Sequence, residues 1–257
     1  MPERADCKAS GLKSFGSEIN VAVIGAGGGI GGAFVDHLRS SNTVSSIFQL
    51  ARSSPASDSQ DHPWIQFDLE DERSIERGAK AISNAIEELH LVIVATGILH
   101  DGNSLKPEKT WRSLSPRAME TAFKLNTVGP ALAAKHFLPL LAKNRKSVFA
   151  ALSARVGSIE DNQLGGWYAY RASKAALNMV IKTLSIELVR RNPGALCIGL
   201  HPGTVDSELS KPFHMNVPEG RLFSPAQSTG YLLRVLDQLG PQDSGGVYAW
   251  DGSQIPY

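Results

Sequence analysis

Ile19–Ser40 reads INVAVIGAGGGIGGAFVDHLRS, and the order of residue types in it decides the fold. INVAVIG is a short apolar run closed by glycine, the pattern of a strand buried on both faces of a parallel sheet. AGGGIGGAFVDHLRS follows as a glycine cluster that passes into helical periodicity. Strand, glycine turn and helix make the first half of a dinucleotide-binding βαβ unit. Glycine belongs there because backbone must come close to a pyrophosphate, whose charge the amides at the helix start stabilise. Two registers fit: Gly27, Gly29 and Gly32 as G-x-G-x-x-G, or Gly25, Gly29 and Gly31 as G-x-x-x-G-x-G. The second is preferred, since its first glycine follows the strand directly. Six glycines in the eight residues 25–32 are far more than a simple turn requires.

Outward from this unit the alternation continues. Ser45–Arg52 (SSIFQLAR), Trp64–Asp71 (WIQFDLED) and Leu91–Gly97 (LVIVATG) read as the next three strands. Glu72–His90 is an amphipathic helix between the last two. Such alternation predicts an α/β protein: a Rossmann-type doubly wound parallel sheet of about seven strands with helices on both faces. The end of the second strand faces an adenosine ribose in folds of this kind. An acid there suits a free 2′-hydroxyl, an arginine a 2′-phosphate. Arg52, Ser53 and Ser54 stand at that end without an acid, which favours NADP(H) over NAD(H).

Further along, residues 98–115 are polar and turn-rich. Pro116–Lys143 reads as a long helix, broken in character by Asn126, Gly129 and Pro130, so a kink that turns Asn126 inward is expected. Ser147–Ser158 is a fifth strand running into a loop, and Ala195–Leu209 a sixth that stops at His201-Pro202-Gly203. Residues 206–223 read as a mobile lid, Ser224–Leu239 as a capped helix and Gly245–Tyr257 as a last strand and tail.

Composition narrows the function classes. The 257 residues are 42% hydrophobic and 20% charged, ordinary for a globular protein, and the net charge of +1 gives no bias toward nucleic acid. No run approaches the ~20 apolar residues of a membrane span. Residues 1–18 lack the apolar core of a secretory signal and carry Glu3, Asp6 and Glu18, so a flexible leader is expected, followed by a single domain over 19–257. Cys7 and Cys197 are not expected to pair, which fits a reducing, cytoplasmic setting.

Tyr170-Arg-Ala-Ser-Lys174 opens the helical run RASKAALNMVIKTLSIELVRR. Residues four apart share a helix face. A free phenol has a pKa of ~10, and a neighbouring ammonium is expected to lower it. A phenol so tuned exchanges a proton with a carbonyl or alcohol oxygen. His201 has no second ligand at metal spacing, so no metal is expected.

The ordered set formed by GAGGGIG, Asp68-Leu69, Asn126, Tyr170-x-x-x-Lys174 and Pro202-Gly203-x-Val205 resembles the short-chain dehydrogenase/reductases in their compact form. GSI, GGWYAYRASKAALNM and DGSQIPY are most similar to the C-factor/sniffer-type carbonyl reductases. The resemblance implies hydride transfer between a nicotinamide and a carbonyl or alcohol. Tyr170 would be the proton donor, with Lys174 tuning it and holding the ribose, and Asn126 positioning a relay water. Gly25, Gly29, Ile30, Gly31, Arg52, Asp68, Leu69, Gly97, Pro202, Gly203, Thr204 and Val205 would line the cofactor. The family's catalytic serine, second of a Ser-Ser pair, falls on Ala154, so Ser153, or else Ser158, is expected to supply the hydroxyl. A homodimer or homotetramer acting on a small carbonyl or alcohol is implied. The apolar lid residues Leu209, Phe213, Met215 and Val217 point to an apolar or aromatic compound. The alternative on the same fold is a non-catalytic NADP-sensing regulator.

Overall fold

The computed structural model describes residues 12–53, 64–102 and 105–257, without the side chains of Phe213, Met215 and Asn216. Cys7, Ser54 and residues 1–11 of the expected leader lie outside them. Seven strands form one parallel sheet: β1 (Ile19–Ile24), β2 (Val44–Ala51), β3 (Trp64–Gln66), β4 (Leu91–Val94), β5 (Ser147–Leu152), β6 (Ala195–His201) and, after a separate two-stranded pair, β9 (Val247–Ala249). Their order is β3-β2-β1-β4-β5-β6-β9. Every neighbouring pair is parallel, with Ala22 of β1 opposite Phe48 of β2 and Val92 of β4.

Side chains alternate across the strands and divide the core in two. Val21, Val23, Ile93 and Ile198 pack with helices α1 (Gly29–Arg39) and α6 (Pro225–Gln238). Ala22, Ile24, Val92 and Phe149 pack with α2 (Glu72–Ala85), α4 (Gly129–Phe137) and α5 (Tyr168–Arg191) on the other face. Burial on both faces is why these strands are nearly continuous apolar runs. The chain moves outward from β1 to β3, then crosses back to place β4 on the other side of β1. That reversal opens a crevice beyond the strand ends, where α/β sheets bind ligands.

Two glycines set the crevice floor. Gly25 has φ +89°, and a Cβ on it would lie 2.7 Å from Thr96 Cγ2. A Cβ on Gly31 would stand 2.0 Å from the Gly25 carbonyl oxygen, so α1 approaches the turn only because that side chain is absent.

Local differences from the sequence reading have plain causes. The β3 run ends at Gln66 and α2 at Ala85, both shorter than expected. The long helix after Pro116 is α3 (Pro116–Phe123) and α4 joined by a π turn over Lys124–Val128. Gly129 donates five residues back to Lys124, and Pro130, lacking an N–H, has none to give the carbonyl of Asn126. The expected leader is not loose through residue 18: Leu12 and Phe15 are buried against the first core layer. Lys146 Nζ secures them, donating to Ser14 Oγ at 2.8 Å and to the carbonyl of Leu236 at 2.7 Å. The expected lid has a stem, β7 (Thr204–Val205) paired with β8 (Leu222–Phe223).

Gly31→Ala should lower the unfolding free energy by about 1–3 kcal/mol through overpacking. Gly29→Ala, whose Cβ would meet only Pro225 Cγ at 3.9 Å, should cost much less. Urea melts of the two variants measure the difference.

Candidate active site

A crevice of about 430 Å³ lies beyond β1, β2 and β4, and Gly25, Arg52, Asp68, Leu69 and Gly97 all line it. Arg52 is exposed at the end of β2. Asp68 Oδ1 accepts from the Glu70 amide at 2.9 Å, and the Asp68 amide donates to Ser74 Oγ, which shapes the turn after β3. The residues present fit a nucleotide. Gly25 and Gly31 make a cradle that a Cβ would fill, and the buried Thr96 hydroxyl has no partner among the described residues. Gly29, Ile30 and Gly31 form the first turn of α1 beside this crevice without lining it.

Asn126 joins two parts of the site. Fully buried in the π turn, its Oδ1 accepts from the Ile98 amide at 2.7 Å. Its Nδ2 donates to the Ile98 carbonyl at 2.9 Å and to Ser173 Oγ at 3.0 Å. The carboxamide thus pins the segment after β4 to the first turns of α5. Thr127 adds a bond to the Ser173 carbonyl at 2.7 Å. A Cβ on Gly97 would lie 3.3 Å from Asn126 Oδ1 and 3.4 Å from Lys174 Nζ, so both polar groups flank this bare backbone.

Tyr170 and Lys174 share the inward face of α5. Lys174 is buried, its Nζ donating to the Leu152 carbonyl at 2.8 Å and standing 5.8 Å from the Tyr170 ring centroid. Burial pushes the Tyr170 phenol up to about 12 and the Lys174 ammonium down to about 7. This corrects the expectation that the ammonium lowers the phenol. Desolvation disfavours both charged forms, and here it outweighs the attraction between them. Gly157 permits the closeness of the loop after β5, because a Cβ there would lie 2.8 Å from Lys174 Cβ.

The two candidate serines each have protein partners. Ser153 Oγ donates to Asn178 Oδ1 at 2.6 Å, both side chains buried, one turn beyond Lys174. Ser158 Oγ donates to the Tyr257 carbonyl at 3.4 Å and accepts from the Asp161 amide at 3.0 Å. Both hydroxyls are bound to protein groups, and the intervening Ala154 has none to offer. Pro202, Gly203, Thr204 and Val205 lie past the end of β6 and do not line the crevice. The Pro202 carbonyl accepts from Ser228 Oγ at 2.7 Å, and Gly203 takes φ +76° against the Phe223 ring.

Glu108 is a site residue that sequence reasoning missed. It is buried, and Trp167, in a left-handed conformation at φ 52°, donates its amide to the Glu108 carbonyl at 2.6 Å. Glu108 Oε2 accepts from the Ala169 amide at 3.3 Å, which caps the helix that carries Tyr170. No signal marks a lone acid in a polar loop as the cap of a helix 60 residues on.

Among the described residues no group of three or more metal-ligating side chains comes together, and no helix is long and apolar enough to cross a membrane.

The short chain dehydrogenase family model matches residues 20–217. An uncharacterized oxidoreductase of Schizosaccharomyces pombe is 28% identical over 255 residues, covering 91% of this chain and 96% of that protein. The crystal structure of an NADPH-bound carbonyl reductase from chicken fatty liver is 25% identical, with TM-score 0.80, over 96% of this chain and 97% of that one. The carbonyl reductase Sniffer of Drosophila melanogaster shares the fold at 23% identity and TM-score 0.78, over 94% and 99%.

The Lys174 shift carries a pH signature. Folded Lys174 loses its proton near 7 while the unfolded side chain keeps it to 10.5, so across that window the unfolded state binds more protons. Its contribution to stability therefore rises with pH between about 7 and 10.5. In cofactor-free protein, the stability of wild type relative to Lys174→Met should increase over that range in denaturant melts. A flat difference would remove the buried ammonium from the account.

Proposed function

The chain belongs to the short chain dehydrogenase family and is an NAD(P)-dependent oxidoreductase; on that premise we propose that it reduces carbonyl compounds with NADPH through a Tyr170–Lys174 proton relay. The observation that carries this is the convergence of Asn126 Oδ1 and Lys174 Nζ on Gly97, with Tyr170 on the same helix face as Lys174. When bound, the nicotinamide supplies the hydride. The chain's own groups manage position and protons.

A phenol pushed up to about 12 stays protonated at neutral pH, the state needed to give a proton to a carbonyl oxygen. An ammonium near 7 exchanges protons readily at that pH and replenishes the phenol. Asn126 holds the segment after β4 against α5, so that backbone and relay keep a fixed separation. Gly25, Gly29, Ile30 and Gly31 would receive the pyrophosphate, while Asp68 and Leu69 would border the adenine side. Pro202–Val205, past the end of β6, would bracket the nicotinamide amide. Ser153 acts at one remove, by holding Asn178 beside the relay.

Arg52 supports the choice of NADPH. It is exposed at the crevice margin, and a guanidinium there pairs bidentately with a 2′-phosphate. Exposed Val128, Met179, Ile186 and Val189, on the π turn and α5, support self-association as a homodimer or homotetramer.

Tyr170→Phe should cut kcat by about 10²–10⁴-fold while leaving the Kd for NADPH nearly unchanged. Full activity in that variant, measured as NADPH oxidation over a panel of aldehydes, ketones and quinones, would take Tyr170 out of the mechanism. Arg52→Glu should weaken NADPH relative to NADH by about tenfold or more, the size of a lost charge-assisted contact. An unchanged ratio of the two kcat/KM values would show that Arg52 does not select the cofactor.

A further inference from the structure

Building on the carbonyl-reductase proposal, we propose that the substrate carries an anionic group, received by Lys106, Lys109 and Arg117 in a second cavity beside the start of α5. This cavity, about 880 Å³, lies between the segment after β4 and the first turns of α3, with Pro212 of the β7–β8 segment on its wall. Trp167 lines it, and the Trp167 ring packs edge-on against Tyr170 with centroids 6.4 Å apart. Trp167 is thus a neighbour of both the cavity and the proposed proton donor.

The wall groups three cations. Lys106, Lys109 and Arg117 are exposed, and none forms an ion pair among the described residues. Some surface cations elsewhere are paired, Lys124 with Glu70 and Arg155 with Asp161, and others such as Lys80, Lys143 and Arg221 form no ion pair among the described residues, so it is the grouping of three on one concave wall that counts.

Two carboxylates share this wall, and each accepts from a backbone amide through one oxygen, while Glu108 Oε1 has no partner among the described residues. Asp101 Oδ1 accepts from the Leu105 amide at 2.8 Å. Glu108 Oε2 caps α5 through the Ala169 amide, where the helix dipole offsets its charge. His100 Nε2 lies 3.1 Å and 3.0 Å from the carbonyls of Glu208 and Leu209, tying the β7–β8 segment to the cavity rim. Leu105, Pro107 and Trp167 add apolar surface. A concave wall of one residual sign raises the local concentration of the opposite charge. The three cations would thus hold one end of a substrate while its carbonyl reaches Tyr170.

The test compares NADPH-dependent reduction of 4-carboxybenzaldehyde with that of its neutral methyl ester, methyl 4-formylbenzoate. It uses wild type and the triple variant Lys106→Glu/Lys109→Glu/Arg117→Glu. Wild type should favour the acid in kcat/KM by about tenfold, equivalent to about 1.4 kcal/mol. That preference should shrink in 1 M salt, where the screening length falls to about 3 Å. The triple variant should favour the ester. Equal kcat/KM values in wild type, or a preference the variant retains, overturn the anion cavity and leave the reductase proposal standing. If neither aldehyde is reduced, the reductase proposal fails on these probes, and calorimetry on the NADPH-loaded protein decides the cavity separately. Tighter binding of the acid by wild type alone upholds it, and equal or absent binding of the two probes overturns it.

Discussion

One carboxamide holds the site together. Asn126 exchanges a pair of hydrogen bonds with the backbone of Ile98 and donates a further one to Ser173. The segment leaving β4 and the helix bearing Tyr170 come from distant parts of the chain, and this side chain makes their spacing definite. A fully buried amide is costly unless satisfied; here both ends are satisfied by groups that need positioning. The π turn gives Asn126 its orientation, because an extra residue in the turn rotates the following helix relative to the preceding one. Gly129 and Pro130 serve the same geometry. A Cβ on Gly129 would lie 3.1 Å from Leu69 Cβ, so the glycine lets the helix settle against the turn after β3.

From that constraint the electrostatics follow. Drawing α5 against the sheet buries Lys174 and leaves its ammonium with a carbonyl partner and no carboxylate. The ammonium is held at the edge of losing its proton, while the phenol beside it is held firmly protonated. Those opposite displacements come from a single cause, the exclusion of water.

Much of this was legible in the residues. Apolar runs closed by glycine mark β1 and β4, and the glycine cluster marks the turn, where a Cβ is barred at Gly25 and Gly31 but not at Gly29. The awkward Asn-x-x-Gly-Pro inside a helix announced a distortion, though not that it would be a π turn. What stayed hidden depends on tertiary distance. Whether a hydroxyl at Ser153 faces a ligand or Asn178 turns on how the end of β5 meets α5, and spacing along the chain does not encode that. The direction of the Tyr170 shift likewise depends on how completely water is excluded. Glu108 and the three cations near it sit in an irregular loop, without the periodicity that lets position along a chain stand for position in space. Leu12 and Phe15 look like part of a polar leader because an isolated pair of apolar residues makes no pattern until the groove they fill exists.

The most direct test follows the hydride. NADPH carrying deuterium on the transferable position of the nicotinamide is incubated with the protein and an aldehyde, and the alcohol is examined by mass spectrometry and NMR. The account predicts deuterium bound to the former carbonyl carbon, and a hydroxyl proton drawn from solvent through Tyr170. A protein that binds the labelled nucleotide yet leaves every deuterium on the nicotinamide, whichever carbonyl is offered, would contradict it.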